Sequence, residues 1–161
     1  MKIIPTVTAA LLFGLLVPAT AHEEHQFSAG APGNQKKPAR IVQVVMRDGD
    51  GKMWFIPDSI KVRKGEQVRF ILRNSGALKH EFVLASVKEN KEHAEMMKKN
   101  PDMAHRDPNA KSVEPGKTAE MIWRFSKGGT FEFACLIPGH YEAGMHGTVA
   151  VTGMDGTVAE K

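Results

Sequence analysis

A second cysteine is missing from these 161 residues, as is a second tyrosine, and only the start of the chain carries a long apolar run. Each absence removes a class of protein. The lone cysteine, Cys135, cannot close an internal disulfide, so a disulfide-stapled scaffold is excluded. Beyond the N-terminal run nothing approaches the ~20 apolar residues that a membrane-crossing helix needs. Aromatic residues make up 7% of the chain, and no basic stripe is interleaved with them, which argues against a nucleic-acid partner. Charge of one sign is scarce too. The 22 Lys and Arg against 18 Asp and Glu leave a net +4, an excess that favours acidic partners only mildly. No internal repeat is visible.

The N-terminal run has a recognisable form. Met1 and Lys2 precede an apolar stretch from Ile3 to Val17, and Pro18-Ala19-Thr20-Ala21 follows. A charged start, a short apolar segment and an A-x-A end describe a secretory signal peptide over residues 1–21, cleaved after Ala21. A membrane anchor is the rival reading, but the stretch falls short of a full span and stops at Pro18. The expected location is the periplasm, with no membrane span once the signal is removed. What remains is enough for one domain with its own core. Residues 22–39, Gly-, Pro- and Lys-rich with little to bury, are expected to be a flexible His-containing tail.

The most informative stretch is Phe133-Ala134-Cys135-Leu136-Ile137-Pro138-Gly139-His140-Tyr141-Glu142-Ala143-Gly144-Met145-His146-Gly147. It holds the cysteine, a histidine five residues later and a methionine five after that. A thiolate, an imidazole and a thioether in one loop are ligands that copper prefers. With a second histidine from elsewhere they make a His2Cys site with a weak axial Met. The flanks agree. Thr130 to Cys135 alternates like a strand ending at the sulfur, Gly147 to Val151 reads as the next strand, and Pro138-Gly139 turns between them. A buried free cysteine beside an unrelated histidine is the bland alternative. His146 adjoins Met145, and adjacent strand residues point to opposite faces, so it is read as a rim residue.

Elsewhere the pattern is of short strands. Residues 40–46, 53–56, 59–62, 67–72, 83–86 and 119–125 are apolar or alternating runs, with turns at Asp48-Gly49-Asp50-Gly51 and Lys64-Gly65-Glu66. This predicts an all-β sandwich. One segment departs from it: Lys88 to Asn100 is rich in helix formers and stops at Pro101. The domain is placed at 40–154, with 155–161 as a C-terminal tail.

The loop Phe131-Glu132-Phe133-Ala134-Cys135…Pro138-Gly139-His140…Met145…Gly147 resembles, residue by residue, the ligand loop of the cupredoxins. These are the blue-copper proteins that include plastocyanin, azurin, auracyanin and pseudoazurin. The resemblance covers roughly residues 40 to 152. It implies a Greek-key β-sandwich with a helical flap over 88–100 and one type 1 copper. It also supplies the missing ligand. In the family the first copper histidine follows a strand and an Asn-containing turn, and Val68 to Phe82, with Asn74 and His80, has that form. The implied ligand set is therefore His80, Cys135, His140 and axial Met145. Two positions depart from the pattern: Glu81 stands where the family often has Asn, and Leu136 where it often has Ser or Thr. The surroundings of the metal, and so colour and potential, should differ from plastocyanin or azurin.

Further soft or chelating groups lie outside that loop. A chain beginning at His22 would carry an α-amine beside an imidazole, with His25 near, and could chelate copper. His93, Met96 and Met97 fall at three- and four-residue spacing on the expected helix, and Met103 and His105 follow it. These could form a secondary copper site. Equally, the methionines could pack the helix and the histidines be solvated. Together they make the chain resemble periplasmic copper-tolerance cupredoxins of the CopI type. The expected function is copper handling with one-electron redox chemistry, by a monomer whose partners are copper ions and a redox protein. The alternative is a soluble electron shuttle. A multicopper enzyme would need further domains and histidines, and a binuclear copper centre a second cysteine.

Overall fold

Alternation of side chains builds two sheets. In the strand Ser59–Arg63, Ile60 and Val62 are buried between exposed neighbours; in Gln67–Asn74, Val68, Phe70, Leu72 and Asn74 turn inward. Successive residues of a strand face opposite ways, so each strand contributes one apolar row. In the computed structural model, which describes residues 27–99 and 107–153, ten strands and one helix follow in chain order. They are β1 (Ala31–Pro32), β2 (Arg40–Gly49), β3 (Lys52–Ile56), β4 (Ser59–Arg63), β5 (Gln67–Asn74) and β6 (His80–Ala85), then α1 (Val87–Lys99). After it come β7 (Ala110–Val113), β8 (Thr118–Arg124), β9 (Gly129–Ala134) and β10 (His146–Thr152). One sheet has the order β1-β8-β5-β2-β3, the other β4-β10-β9-β6-β7. The pairs β2–β5 and β4–β10 are parallel and the rest antiparallel. The chain crosses repeatedly between the sheets, as a Greek-key sandwich requires.

Between the sheets, Val44, Met46, Phe70, Leu72, Met121 and Trp123 meet Phe82, Leu84, Phe133, Val149 and Val151. Phe82 and Phe133 stack with centroids 5.1 Å apart, and Phe55 closes on both edge-first at 6.0 and 5.1 Å. This cluster matters for the site because Phe82 lies two residues after His80 and Phe133 two before Cys135. It pins β6 against β9, where Val83 pairs with Ala134 and Leu84 with Phe133.

Helix α1 forms a third layer. Every residue of β6 is buried, since its outward row is covered too. Val83, Ala110, Ala134 and Leu136 form a second apolar cluster onto which Ala94 and Tyr141 pack. The helix starts with a capping box: the Glu89 N–H donates to Ser86 Oγ at 3.2 Å, and the Ser86 N–H donates to the Glu89 carboxylate at 2.9 Å.

Three elements differ from the sequence reading. Residues 27–38, expected in the flexible tail, lie along the sheet. Ala29 is fully buried, its carbonyl accepts from Trp123 Nε1 at 3.2 Å, and Phe27 meets the Trp123 ring edge-on at 5.4 Å. Small residues that read as a linker serve here to let the chain lie close against β8; a Cβ on Gly30 would overlap the Arg124 carbonyl. Strand β7 is too short and mixed to give a periodic signal. Finally, β2 continues through Asp48 and Gly49, and the turn is only Asp50-Gly51, both at positive φ, as a tight hairpin needs. Asp48 is thereby a strand residue. The expected signal peptide (1–21), His22, His25, Met103, His105 and the tail 155–161 lie outside the described residues.

The capping box gives a direct test of the helix. Ser86→Ala should lower stability by about 1 kcal/mol, read as a reduced urea midpoint with an unchanged slope, because the core beneath is untouched.

Candidate metal centre

Three elements meet at one end of the sandwich. His80 opens β6, Cys135 directly follows β9, and His140 stands in the loop that returns to β10. That loop is wound on itself. The Cys135 N–H donates to the Met145 carbonyl at 3.0 Å, Met145 N–H to the His140 carbonyl at 3.1 Å, and His140 N–H to the Ile137 carbonyl at 3.0 Å. Met53 of β3 donates to the Ala143 carbonyl at 3.0 Å, tying the loop to the other sheet. Tyr141 and His146 stack across it at 4.8 Å. His146 is exposed while Met145 is fully buried, the divergence expected of neighbours at a strand start.

Within this end the donor atoms converge. His140 Nδ1 is 3.3 Å from Cys135 Sγ and 3.3 Å from His80 Nδ1. All three residues are buried, and their ligand atoms lie within 4.8 Å of one another, the only such group among the described residues. The two 3.3 Å separations are of the size expected between donors that share one ion at the ~2.0–2.3 Å of metal bonds to imidazole and thiolate. The backbone N–H of Glu81 donates to Sγ at 3.2 Å, a contact suited to a thiolate. The donor set fits a soft or borderline metal.

The comparisons with known proteins decide the family. Residues 42–152 match the copper-binding proteins of the plastocyanin/azurin family. The copper-resistant cuproprotein CopI of Rubrivivax gelatinosus is 52% identical over 122 residues, 76% of this chain and 72% of that one. The CopI protein of Pseudomonas aeruginosa is 36% identical, over 90% of this chain and 93% of its own. Among solved structures, auracyanin B superposes with a TM-score of 0.60 at 25% identity, over 78% of this chain and 98% of that one. The chain belongs to the cupredoxins. Copper is the metal this family binds.

The electrostatics of this cupredoxin's site follow from burial. Burial pushes the Cys135 thiol up to about 12, against the opposing effect of the Glu81 and Ile137 N–H groups. His140 is held below the ordinary imidazole range, first by burial and then by His80. Without metal, burial therefore favours the neutral forms of both the Cys135 thiol and the His140 ring.

Two residues beside the site were not singled out as functional by sequence reasoning. Asn74, fully buried, organises the turn before His80. Its Nδ2 donates to the carbonyls of Leu78 at 2.7 Å and Val113 at 2.9 Å, and its Oδ1 accepts from Gly76 N–H at 2.9 Å. Asp48 reaches His80 Nε2 with Oδ1 at 2.8 Å. Burial alone would raise its carboxyl, but the hydrogen bonds from His80, Ala77 and Leu78 outweigh that and hold it below the usual range. The signal for Asp48 was present but hidden, because Asp-Gly reads as turn chemistry. The two departures, Glu81 and Leu136, are both buried. The Glu81 carboxylate accepts from Ser112 Oγ at 3.0 Å.

The candidate secondary ligands are less gathered. On α1, Met97 is buried and Met96 is about half exposed at 49%, because adjacent helical residues point about 100° apart. They do not present one face with His93. His93 and Met96 instead line a groove with Glu89, Glu92 and Asp107.

The buried thiol makes metal uptake pH-dependent with a definite sign. A thiol protonated up to about pH 12 must release its proton to become a ligand. Copper loading at pH 7–8 should therefore release one proton from Cys135, and apparent affinity should rise about tenfold per pH unit. In the metal-free fold a thiol reagent should leave Cys135 unmodified at pH 8 and label it fully after unfolding.

Proposed function

We propose that this cupredoxin handles copper in copper tolerance, in the periplasm, through one type 1 centre. His80, Cys135 and His140 would hold the metal, with Met145 as a further, weak thioether donor. The observation that carries the reading is the convergence of one buried sulfur and two buried imidazole nitrogens. Bound copper would supply one-electron exchange between Cu(II) and Cu(I) at this position. The protein's part is to hold the donors still. Thiolate and imidazole suit both oxidation states, and the hydrogen-bonded loop keeps Cys135, His140 and Met145 in fixed relation. The Glu81 N–H, aimed at Sγ, stabilises the sulfur's charge once its proton is gone. No enzymatic step is assigned to these residues.

The names of the CopI relatives support copper tolerance over carriage alone, and the apolar N-terminal run supports export. Among the described residues no helix is long and apolar enough to cross a membrane. The protein is read as a monomer. The electron-shuttle reading keeps one observation in its favour: Leu78, 45% exposed, offers an apolar contact two residues from His80. A redox partner docking there would lie close to the metal.

The ligand roles make separate predictions. Cu(II) should give an intense visible thiolate band, and Cys135→Ser should abolish it while leaving the sandwich folded by circular dichroism; a band of full strength in that variant would exclude the assignment. Met145→Leu should keep the copper and raise the reduction potential, because a donor favouring Cu(II) is gone. An unchanged voltammogram would mean that Met145 is not a ligand.

Copper handling and carriage differ in stoichiometry. If His22, His25, His93, Met96, Met97, Met103 and His105 also take copper, the protein should bind more than one ion per chain. The excess should disappear when these are replaced, with the blue site retained, since distant sites behave independently. Binding of a single copper, together with normal growth of deletion cells in copper, would favour the shuttle.

A further inference from the structure

Asp48 occupies a position that strand geometry alone does not call for. It is the penultimate residue of β2, paired with Met53 across the hairpin. Its side chain is only 12% exposed and turns toward the end of the sandwich where β6 begins. There Oδ1 lies 2.8 Å from His80 Nε2. The same carboxylate accepts from the backbone N–H of Ala77 at 3.1 Å and of Leu78 at 3.3 Å. Gly76 permits this closeness, since a Cβ there would overlap Asp48 Oδ1. Asn74 folds the same turn from the other side through Gly76 N–H and the Leu78 carbonyl. The turn that delivers His80 is thus closed around a carboxylate.

Two consequences follow from chemistry. An ionised carboxylate only accepts hydrogen bonds, so the ring nitrogen facing it must carry the proton. That leaves the Nδ1 lone pair of His80 on the side of His140 Nδ1, 3.3 Å away, available as a metal ligand needs. The carboxylate also places a negative charge one imidazole ring from the metal, within a largely dry environment. A charge there stabilises the more positive oxidation state more than the less positive one.

We propose that Asp48 is a positioning and potential-setting residue of the copper centre, holding His80 as the Nε2–H tautomer and biasing the bound metal toward Cu(II). This rests on the reading of His80 as a copper ligand. A carboxylate paired with a ligating histidine adds basicity to the ring and commonly changes metal affinity by ~10–100-fold. In a copper-handling protein, that bias favours retention of the oxidised ion.

The test compares the copper-loaded full chain with Asp48→Asn and Asp48→Ala, by voltammetry and by Cu(II) and Cu(I) affinity. Asn keeps an acceptor for His80 but removes the charge; Ala removes both. In both variants the thiolate band should persist, and the ratio of Cu(II) to Cu(I) affinity should fall about tenfold or more. A tenfold fall is a potential raised by ~59 mV for one electron. Potentials unchanged in both variants, with the band intact, would overturn the proposal and leave Asp48 as a turn anchor. A rise in Ala alone would overturn it as well, because the charge would then have no part. Absence of the band in the wild type would instead remove the copper-ligand reading beneath it. Should neither variant fold, nitrogen NMR of the metal-free wild type decides: His80 protonated on Nε2 supports the proposal, and protonation on Nδ1 contradicts it.

Discussion

A sulfur with no access to water is the constraint on which the rest of this structure depends. Cys135 is fully buried, and a thiolate there, without a cation beside it, would be strongly disfavoured. The fold answers by bringing two imidazoles to the same point and by aiming one backbone N–H at the sulfur. That requires the end of β9, the start of β6 and the return loop to stay in register. The Phe55–Phe82–Phe133 cluster directly beneath fixes that register. The aromatic core is therefore part of the site's construction, and its packing sets how closely the donor atoms can approach.

How much of this was legible in the sequence depended on distance along the chain. Cys135, His140 and Met145 fall within one loop, so their spacing alone carried the chemistry. His80 lies 60 positions before His140 and has no local pattern that marks it; only the resemblance to a family pointed there. The main strands were readable because alternation is local, and α1 because the segment before Pro101 is rich in helix formers. The Ser86–Glu89 box was an available signal for the helix start. Elements stabilised from outside themselves were not readable. Strand β1 exists because Trp123 and the edge of β8 receive it, and β7 because β6 needs a neighbour. Asp48 was obscured by a doubled Asp-Gly, of which only the second forms the turn. Met97 turned inward for a tertiary reason, the sheet beneath α1, which a helical wheel drawn without that sheet does not contain.

In the proposed function the site joins two demands that usually conflict. Copper tolerance favours holding the metal firmly, while redox exchange favours a site that suits both oxidation states. A thiolate and two imidazoles held by a hydrogen-bonded loop serve the second demand. The Asp48 carboxylate, 2.8 Å behind His80, is proposed to serve the first. Helix α1 covers the outer row of β6 and β9, shielding the strands that deliver His80 and Cys135. The second apolar cluster beneath α1 thus supports the metal end from the side away from the main core.

The central claim is that copper is held by one thiolate and two imidazoles whose arrangement is set by the protein. X-ray absorption at the copper edge, recorded on the Cu(II) and the Cu(I) forms of the full chain, tests it most directly. The account predicts a short copper–sulfur bond and two imidazole nitrogens in both forms, with bond lengths changing little on reduction. A first shell of nitrogen and oxygen alone, or the loss of a nitrogen ligand on reduction, would contradict it.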